Sequence, residues 1–361
     1  MCLLQKVLEK PHYGFVNQDG GFTRPASAQI WREFFSRLNV FRDRRNWLVA
    51  FGWFMTCLFV PFFALFFAKY FSWKLFFIGF VYSMILMGTH GTVYLHRYGT
   101  HRAYKFSNRF WLQIARNLVI KVIPEEIYIV SHHVHHKYSE QAWDPYNVNG
   151  GWLYCFLADA NHQTIARDLP EKDYVRVARM VEHTGVKPNT YAQYLRWGTI
   201  ANPARTVAHY LLNWAGNFAF FHWLGGMPLA IAIFGMAGVW AFGVRTYNFD
   251  GHGRGIDKRK DGVDFNREDQ SINQIWPGYV AGEWHNNHHL YASSARSGFL
   301  PWQFDGAWEV IRLWHKLGIV SSYRDDKAEF LRKHYAPYRE RTGSDSPIPA
   351  GSRTGLSRQT P

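Results

Sequence analysis

The stretch SHHVHHKYS, residues 131–139, places four histidines within five positions. Neutral imidazoles bind transition metals through a ring nitrogen, whereas protonated neighbours repel one another, so this density points to a bound metal. Further clusters recur along the chain. HRYGTH carries His96 and His101, NFDGH carries Asn248 and His252, and HNNHH carries His285, His288 and His289. At 3.6 residues per turn, positions i, i+3 and i+4 share a helix face. His132, His135 and His136 therefore converge, as do His285, His288 and His289. His133 is turned about 100° from His132 and reads as a supporting or surface residue. Asn248 and His252 share a face if their helix continues past Gly251. His96 and His101 do not fit one α-helical face, so the helix is expected to break near Gly99 and the chain to fold back.

The candidate ligands are thus His96, His101, His132, His135, His136, His252, His285, His288 and His289. That set exceeds what one four-coordinate zinc can use and suits two metals with about four or five nitrogens each. A pure nitrogen set binds zinc or copper at least as well as iron, and the Glu-x-x-His pairs of soluble two-iron bundles are absent, so residue type leaves the metal open. Metal-bound imidazoles usually donate their other N–H to an acceptor, and Asp144, Glu283 and Glu126 are the candidate carboxylates. His90, His209 and His222 fall inside apolar runs, where polar groups are costly. Interfacial or interhelical hydrogen bonding accounts for them, and they are left outside the site.

The elements that must position these histidines are four apolar runs, at about 47–67, 73–95, 206–224 and 227–247. Each approaches the roughly 20 residues needed to cross a bilayer. The connections within each pair, AKYFS and GG, are short enough to make two helical hairpins, which puts the polar inserts 96–205 and 248–325 on one face. Arg42, Arg44, Arg45, Arg97, Arg102, Lys105, Arg205, Arg245, Arg254, Lys258, Arg259 and Lys260 cluster at that side, while the hairpin tips offer little beyond Lys69. The positive-inside rule then makes the termini and the polar domain cytoplasmic. A net charge of +14 follows from these flanking cations, which attract anionic lipid. They track helix ends and form no stripe, and no nucleic-acid motif is present, which excludes a nucleic-acid partner. The overall mean hydropathy of −0.26 hides this segregation of apolar and polar blocks.

The expected fold is an all-α integral membrane protein, with four transmembrane helices in two hairpins and a cytoplasmic helical domain holding a histidine-rich di-metal site. Residues 1–45 form an N-terminal segment in which Ile30, Phe34, Leu38 and Phe41 recur at helical spacing, giving an interfacial amphipathic helix. Residues 46–325 form the main domain. Residues 326–361 form a C-terminal segment whose tail, from Thr342, has too little apolar content to fold. Cys2, Cys57 and Cys155 make no disulfide or CxxC pattern. Charges interrupt the short apolar run at the N-terminus, which argues against a cleaved signal.

HRYGTHRAYKF, HHVHHKYSEQAWDPYN and GEWHNNHH resemble the three histidine boxes of the membrane fatty acyl desaturases, especially the stearoyl-CoA desaturase branch. The resemblance covers about residues 40–325 and includes that branch's Asn-x-x-x-His element, matched by Asn248 and His252. It implies two irons on the nine histidines, Asn248 reaching iron through water, and oxygen as cosubstrate. The implied reaction removes two hydrogens from adjacent methylenes of a saturated acyl chain, leaving a cis double bond. It also implies an external electron donor of the ferredoxin or cytochrome b5 type. The segment before the second box is shorter than the branch's usual form, and His133 stands where the family commonly has Arg. Head-group recognition and double-bond position therefore stay open. Met84, Gly88 and Thr92 lie below His96 at successive turns and are the expected acyl-tunnel face, with helix packing as the other role for Gly88. A hydroxylase or ketolase with the same metal cage, and a metal transporter or sensor, are the competing functions. A transporter would need polar groups through the bilayer, whereas the ligand clusters stop at its edge.

Overall fold

The computed structural model describes residues 2–259, 262–274 and 284–343. In chain order the main helices are α1 (Ser27–Leu38), α2 (Arg44–Tyr70), α3 (Trp73–Thr100), α4 (Arg109–Asn117), α5 (Glu125–Tyr138), α6 (Glu171–Val181), α7 (Pro203–Gly251), α8 (His285–Leu290) and α9 (Gly306–Lys316). Three of them, α2, α3 and α7, are long and apolar enough to cross a membrane. Their outer faces expose Phe54, Trp73, Phe77, Leu212 and Trp223, a band of large apolar side chains that water would disfavour.

Helix α7 doubles back on itself. Gly225 and Gly226 leave helical geometry, and Gly226 takes φ 70°, a left-handed conformation that glycine tolerates because it lacks Cβ. Pro228 follows in the first turn of the returning half, where a missing N–H costs nothing. The rings of Phe218 and Phe234 are 5.4 Å apart, whereas a straight helix would separate them by roughly 24 Å. The other reversal lies at Phe71 and Ser72, where the Ser72 hydroxyl accepts from the Leu75 N–H (3.3 Å) and starts α3. The returning half of α7 packs tightly on both partners. A Cβ on Gly235 would come within 3.0 Å of Phe63 Cα, and one on Gly79 within 2.6 Å of Met236.

Between α4 and α5 the chain dips irregularly among these helices. Its backbone groups are met by side chains of the apolar helices. Tyr82 Oη accepts from Ile120 N (3.0 Å), and Asn213 Oδ1 accepts from Lys121 N (2.9 Å). Asn213 Nδ2 donates to Val119 O (3.1 Å) and Trp214 Nε1 to Lys121 O (2.9 Å). Irregular backbone buried among helices persists only where protein groups satisfy it. The same packing explains two apolar-run histidines: His90 Nε2 donates to Ala115 O (2.7 Å), and His209 Nε2 meets Asn117 Oδ1 (2.7 Å). His222 is exposed near the Gly225–Gly226 turn.

Two expectations need correction. The polar region is not purely helical, because β1 (Tyr104–Phe106) pairs antiparallel with β2 (Val320–Tyr323) and ties the chain after α3 to the segment beyond α9. Nor does α3 break at Gly99. It runs to Thr100 with wide π-type turns, and His101 N donates to His96 O (3.2 Å). That i→i+5 register places His96 and His101 on the same face. Gly99 is needed for close approach, since a Cβ there would lie 3.2 Å from Ile129 of α5. Helix α1 forms over Ser27–Leu38, but it packs Ile30 and Phe34 against Val49, Trp53 and Tyr154 within the protein, Phe41 lies beyond its end and is exposed, and Trp31 and Phe35 face outward. Helical segments continue from Lys327 to Thr342, and the tail read as disordered lies outside the described residues from 344 onward.

Candidate metal centre

The nine histidines meet in two adjoining groups. His96, His101, His132, His136 and His288 form one, and His135, His252, His285 and His289 the other; within each group one ring nitrogen per residue lies within 4.8 Å of all the rest. In the first group, His96 Nε2 is 2.7 Å from His288 Nε2, which is 3.0 Å from His136 Nε2, which is 3.2 Å from His132 Nε2. In the second, His252 Nε2 and His285 Nε2 are 3.1 Å apart. The groups touch where His136 and His289 stack with ring centroids 4.5 Å apart.

Helical spacing alone placed each triplet on one face. The packed structure divides each triplet. On α5 the i and i+4 residues His132 and His136 face α3, while His135 faces the other group. On α8, His285 and His289 go to one group and His288 to the other. Each helix is wedged between the two groups and serves both.

The donor set fits metal ions on a test internal to the protein. Three carboxylates each accept a hydrogen bond from an imidazole Nδ1–H: Asp144 from His135 (2.9 Å), Glu140 from His252 (2.7 Å) and Asp269 from His289 (2.6 Å). A carboxylate only accepts, so Nδ1 carries the hydrogen and Nε2 presents a lone pair inward. The Nε2 atoms of His135, His289 and His101 are buried without a hydrogen-bond partner among the described residues. Burial, reinforced by neighbouring imidazoles, pushes His101, His132, His136, His285 and His288 well below the ordinary histidine range, which favours the neutral, ligating form. For Asp269 burial alone would raise the carboxyl, but the His289 contact prevails and holds it well below the usual range. Tyr146 Oη lies 2.8 Å from His132 Nδ1 and Tyr247 Oη 3.0 Å from His285 Nδ1, fixing two more rings.

Of the carboxylates named from sequence, Asp144 lies against a histidine ring, that of His135. Glu126 does not: its Oε2 accepts from Ala201 N (2.5 Å), away from any ligand ring, and burial pushes its carboxyl up to about 8. Glu283 lies outside the described residues. Glu140, Asp269, Tyr146 and Tyr247 were not singled out from sequence. Glu140 did carry a hint, being part of the KYSEQ run just beyond His136, and it adopts φ 61°, a strained conformation for a non-glycine residue. Asn248 Oδ1 is buried with no hydrogen-bond partner among the described residues. His133 belongs to neither group and is half-buried.

A cavity beside the first group is lined by Gly88, Gly91, Thr92 and Leu95 from one face of α3 and reaches His132 and Asn248. The Thr92 hydroxyl donates to Gly88 O (3.2 Å) inside its own helix. Met84 lies off this wall and packs among the side chains between the two hairpins.

The family model for fatty acid desaturases matches residues 71–341. The chain belongs to the fatty acid desaturase family. Among curated proteins this desaturase is 26% identical over 261 residues to the icosanoyl-CoA 5-desaturase of Limnanthes douglasii, covering 71% of this chain and 67% of that one. It is 27% identical over 285 residues to the acyl-CoA C20 Delta5-desaturase of Anemone leveillei, covering 76% and 79%. It is 26% identical over 288 residues to the sn-1 stearoyl-lipid 9-desaturase of Synechocystis sp., covering 77% and 80%.

Proposed function

We propose that this fatty acyl desaturase introduces a cis double bond into a saturated acyl chain at two irons, with dioxygen as cosubstrate and electrons from an external ferredoxin or cytochrome b5 type carrier. The observation that carries the reading is the partition of nine histidines into a group of five and a group of four that touch, beside a cavity walled by an apolar helix face. When bound, the metals would activate dioxygen, the oxidant needed to break unactivated C–H bonds. The chain's own residues do the rest. Asp144, Glu140 and Asp269 hold the Nδ1 protons and thereby aim the Nε2 lone pairs. Asn248, whose amide oxygen has no partner among the described residues, suits contact with the centre through water. Gly88, Gly91, Thr92 and Leu95 offer methylenes one face with no free hydrogen-bonding side chain, because the Thr92 hydroxyl is already committed, while Asp159, Gln163, Arg245 and Asn248 line the cavity elsewhere.

The same reading places four spans in the bilayer, counting the two halves of α7 separately, with α1 lying in the interface on its exposed Trp31 and Phe35. The basic residues at the polar ends of the spans favour a cytoplasmic centre and termini. The residue pattern leaves the acyl carrier open, and the relatives' names include both acyl-CoA and acyl-lipid activities.

Expression in a host rich in saturated chains, with gas chromatography of its fatty acids and metal analysis of the purified protein, tests the proposal. A new alkene and two irons per chain are expected. A hydroxylated product in place of the alkene would favour the hydroxylase reading. Gly88→Trp fills the cavity wall and is expected to shorten the longest chain desaturated by a few carbons. Feeding saturated chains of graded length measures this, and an unchanged product profile at full activity would remove Gly88 from the tunnel.

A further inference from the structure

A second cavity, about 210 Å³, opens where the polar chain meets the starts of α2 and α7, bordered by Leu48 and Arg205 in their first turns. This is the head-group level of the bilayer for any arrangement in which those helices span it. Arg116, Lys121, Lys187 and Arg205 line it with Glu125 and Glu126. Glu125 is fully used by the first two cations: Arg116 Nη2 donates at 2.6 Å and Lys121 Nζ at 2.9 Å. Lys187 and Arg205 are exposed and have no ion pair among the described residues. Glu126 is 2% exposed. Its Oε2 is taken by Ala201 N, and Oε1 has no partner among the described residues. With its carboxyl raised to about 8 by burial, Glu126 is protonated at neutral pH, so Oε1 can carry a hydrogen with no acceptor among the described residues.

A surplus of positive charge and a buried, unused donor on one cavity call for an anionic ligand with several acceptor oxygens. We propose that this cavity binds the phosphate of an anionic membrane lipid, with Lys187 and Arg205 gripping it from the open side and Glu126 donating from within. Phosphate oxygens satisfy both the charge and the geometry, and Arg is well matched to them. Free phosphate shares this chemistry, but the position between two span entrances presents the site to a lipid head group. The site is separate from the histidine groups, so its failure would leave the desaturase reading untouched.

The test uses the purified full chain in mild detergent, offered equal amounts of phosphatidylglycerol and phosphatidylcholine and read by native mass spectrometry. The wild type is expected to retain one phosphatidylglycerol at least tenfold in preference to phosphatidylcholine. Lys187→Ala with Arg205→Ala, both at exposed positions, should abolish that preference while metal content stays at the wild-type level. Glu126→Gln keeps an N–H donor and should retain the lipid, whereas Glu126→Ala should weaken it. Equal retention of the two lipids, undiminished retention by the double variant, or binding of inorganic phosphate without lipid would each overturn the proposal.

Discussion

His288→Ala is expected to abolish the unsaturated product and to lower bound metal from two ions per chain towards one. His288 Nε2 lies between His96 Nε2 at 2.7 Å and His136 Nε2 at 3.0 Å, so its removal takes the central donor from the group of five. Loss of a residue that merely orients a ligand typically costs about 10–100-fold in metal affinity or activity, and loss of the ligand itself should cost at least about 100-fold. Metal analysis with the host's fatty acid profile reads both effects. His133→Ala is the control, because His133 sits between two ligands in sequence yet belongs to neither group, and it should keep both metals. Full metal and full product in His288→Ala would dismantle the assignment.

Asp305→Ala is expected to be the most destabilising single change outside the metal groups. The Arg97 guanidinium is 2% exposed and held by both Asp305 oxygens (2.8 and 2.9 Å), Ala295 O (2.5 Å) and Ser297 Oγ (3.3 Å). Asp305 also caps α9 by accepting from Trp308 N (2.9 Å). Removing the carboxylate strands a buried cation, at a cost of about 3–5 kcal/mol. Thermal unfolding in detergent measures the loss. Because Arg97 adjoins His96, metal retention should fall alongside stability. Arg97→Met combined with Asp305→Leu removes both charges and should be markedly less harmful than Asp305→Ala alone. Equal damage from the pair would mean that packing, rather than stranded charge, sets the cost.

The histidine groups were legible because imidazoles at helical spacing form a local pattern, and hydropathy marked the helices that carry them. What local spacing could not show was the division of each triplet between two groups, which depends on where α3, α5 and α8 settle against one another. The pairing of His96 with His101 was misread because residue types do not announce a π-type register. Asp269 sits in irregular chain with no period, so nothing distinguished it from a solvated loop charge until His289 was found 2.6 Å away. Glu126 misled for the opposite reason, being close in sequence to the second box but turned towards Ala201. The β1–β2 ribbon joins strands too short and too far apart in the chain to leave a signal.

The dip between α4 and α5 constrains how the protein can be made. Ile120 finds its partner in Tyr82, already synthesised, but Lys121 and Val119 depend on Asn213 and Trp214, which emerge from the ribosome much later. Until that later stretch is threaded into lipid, the loop's amides have nothing to bond there and must wait in water. Docking of this loop is therefore a closing event of biogenesis, and the metal-binding face above it cannot take its final shape while the nascent chain is only half made.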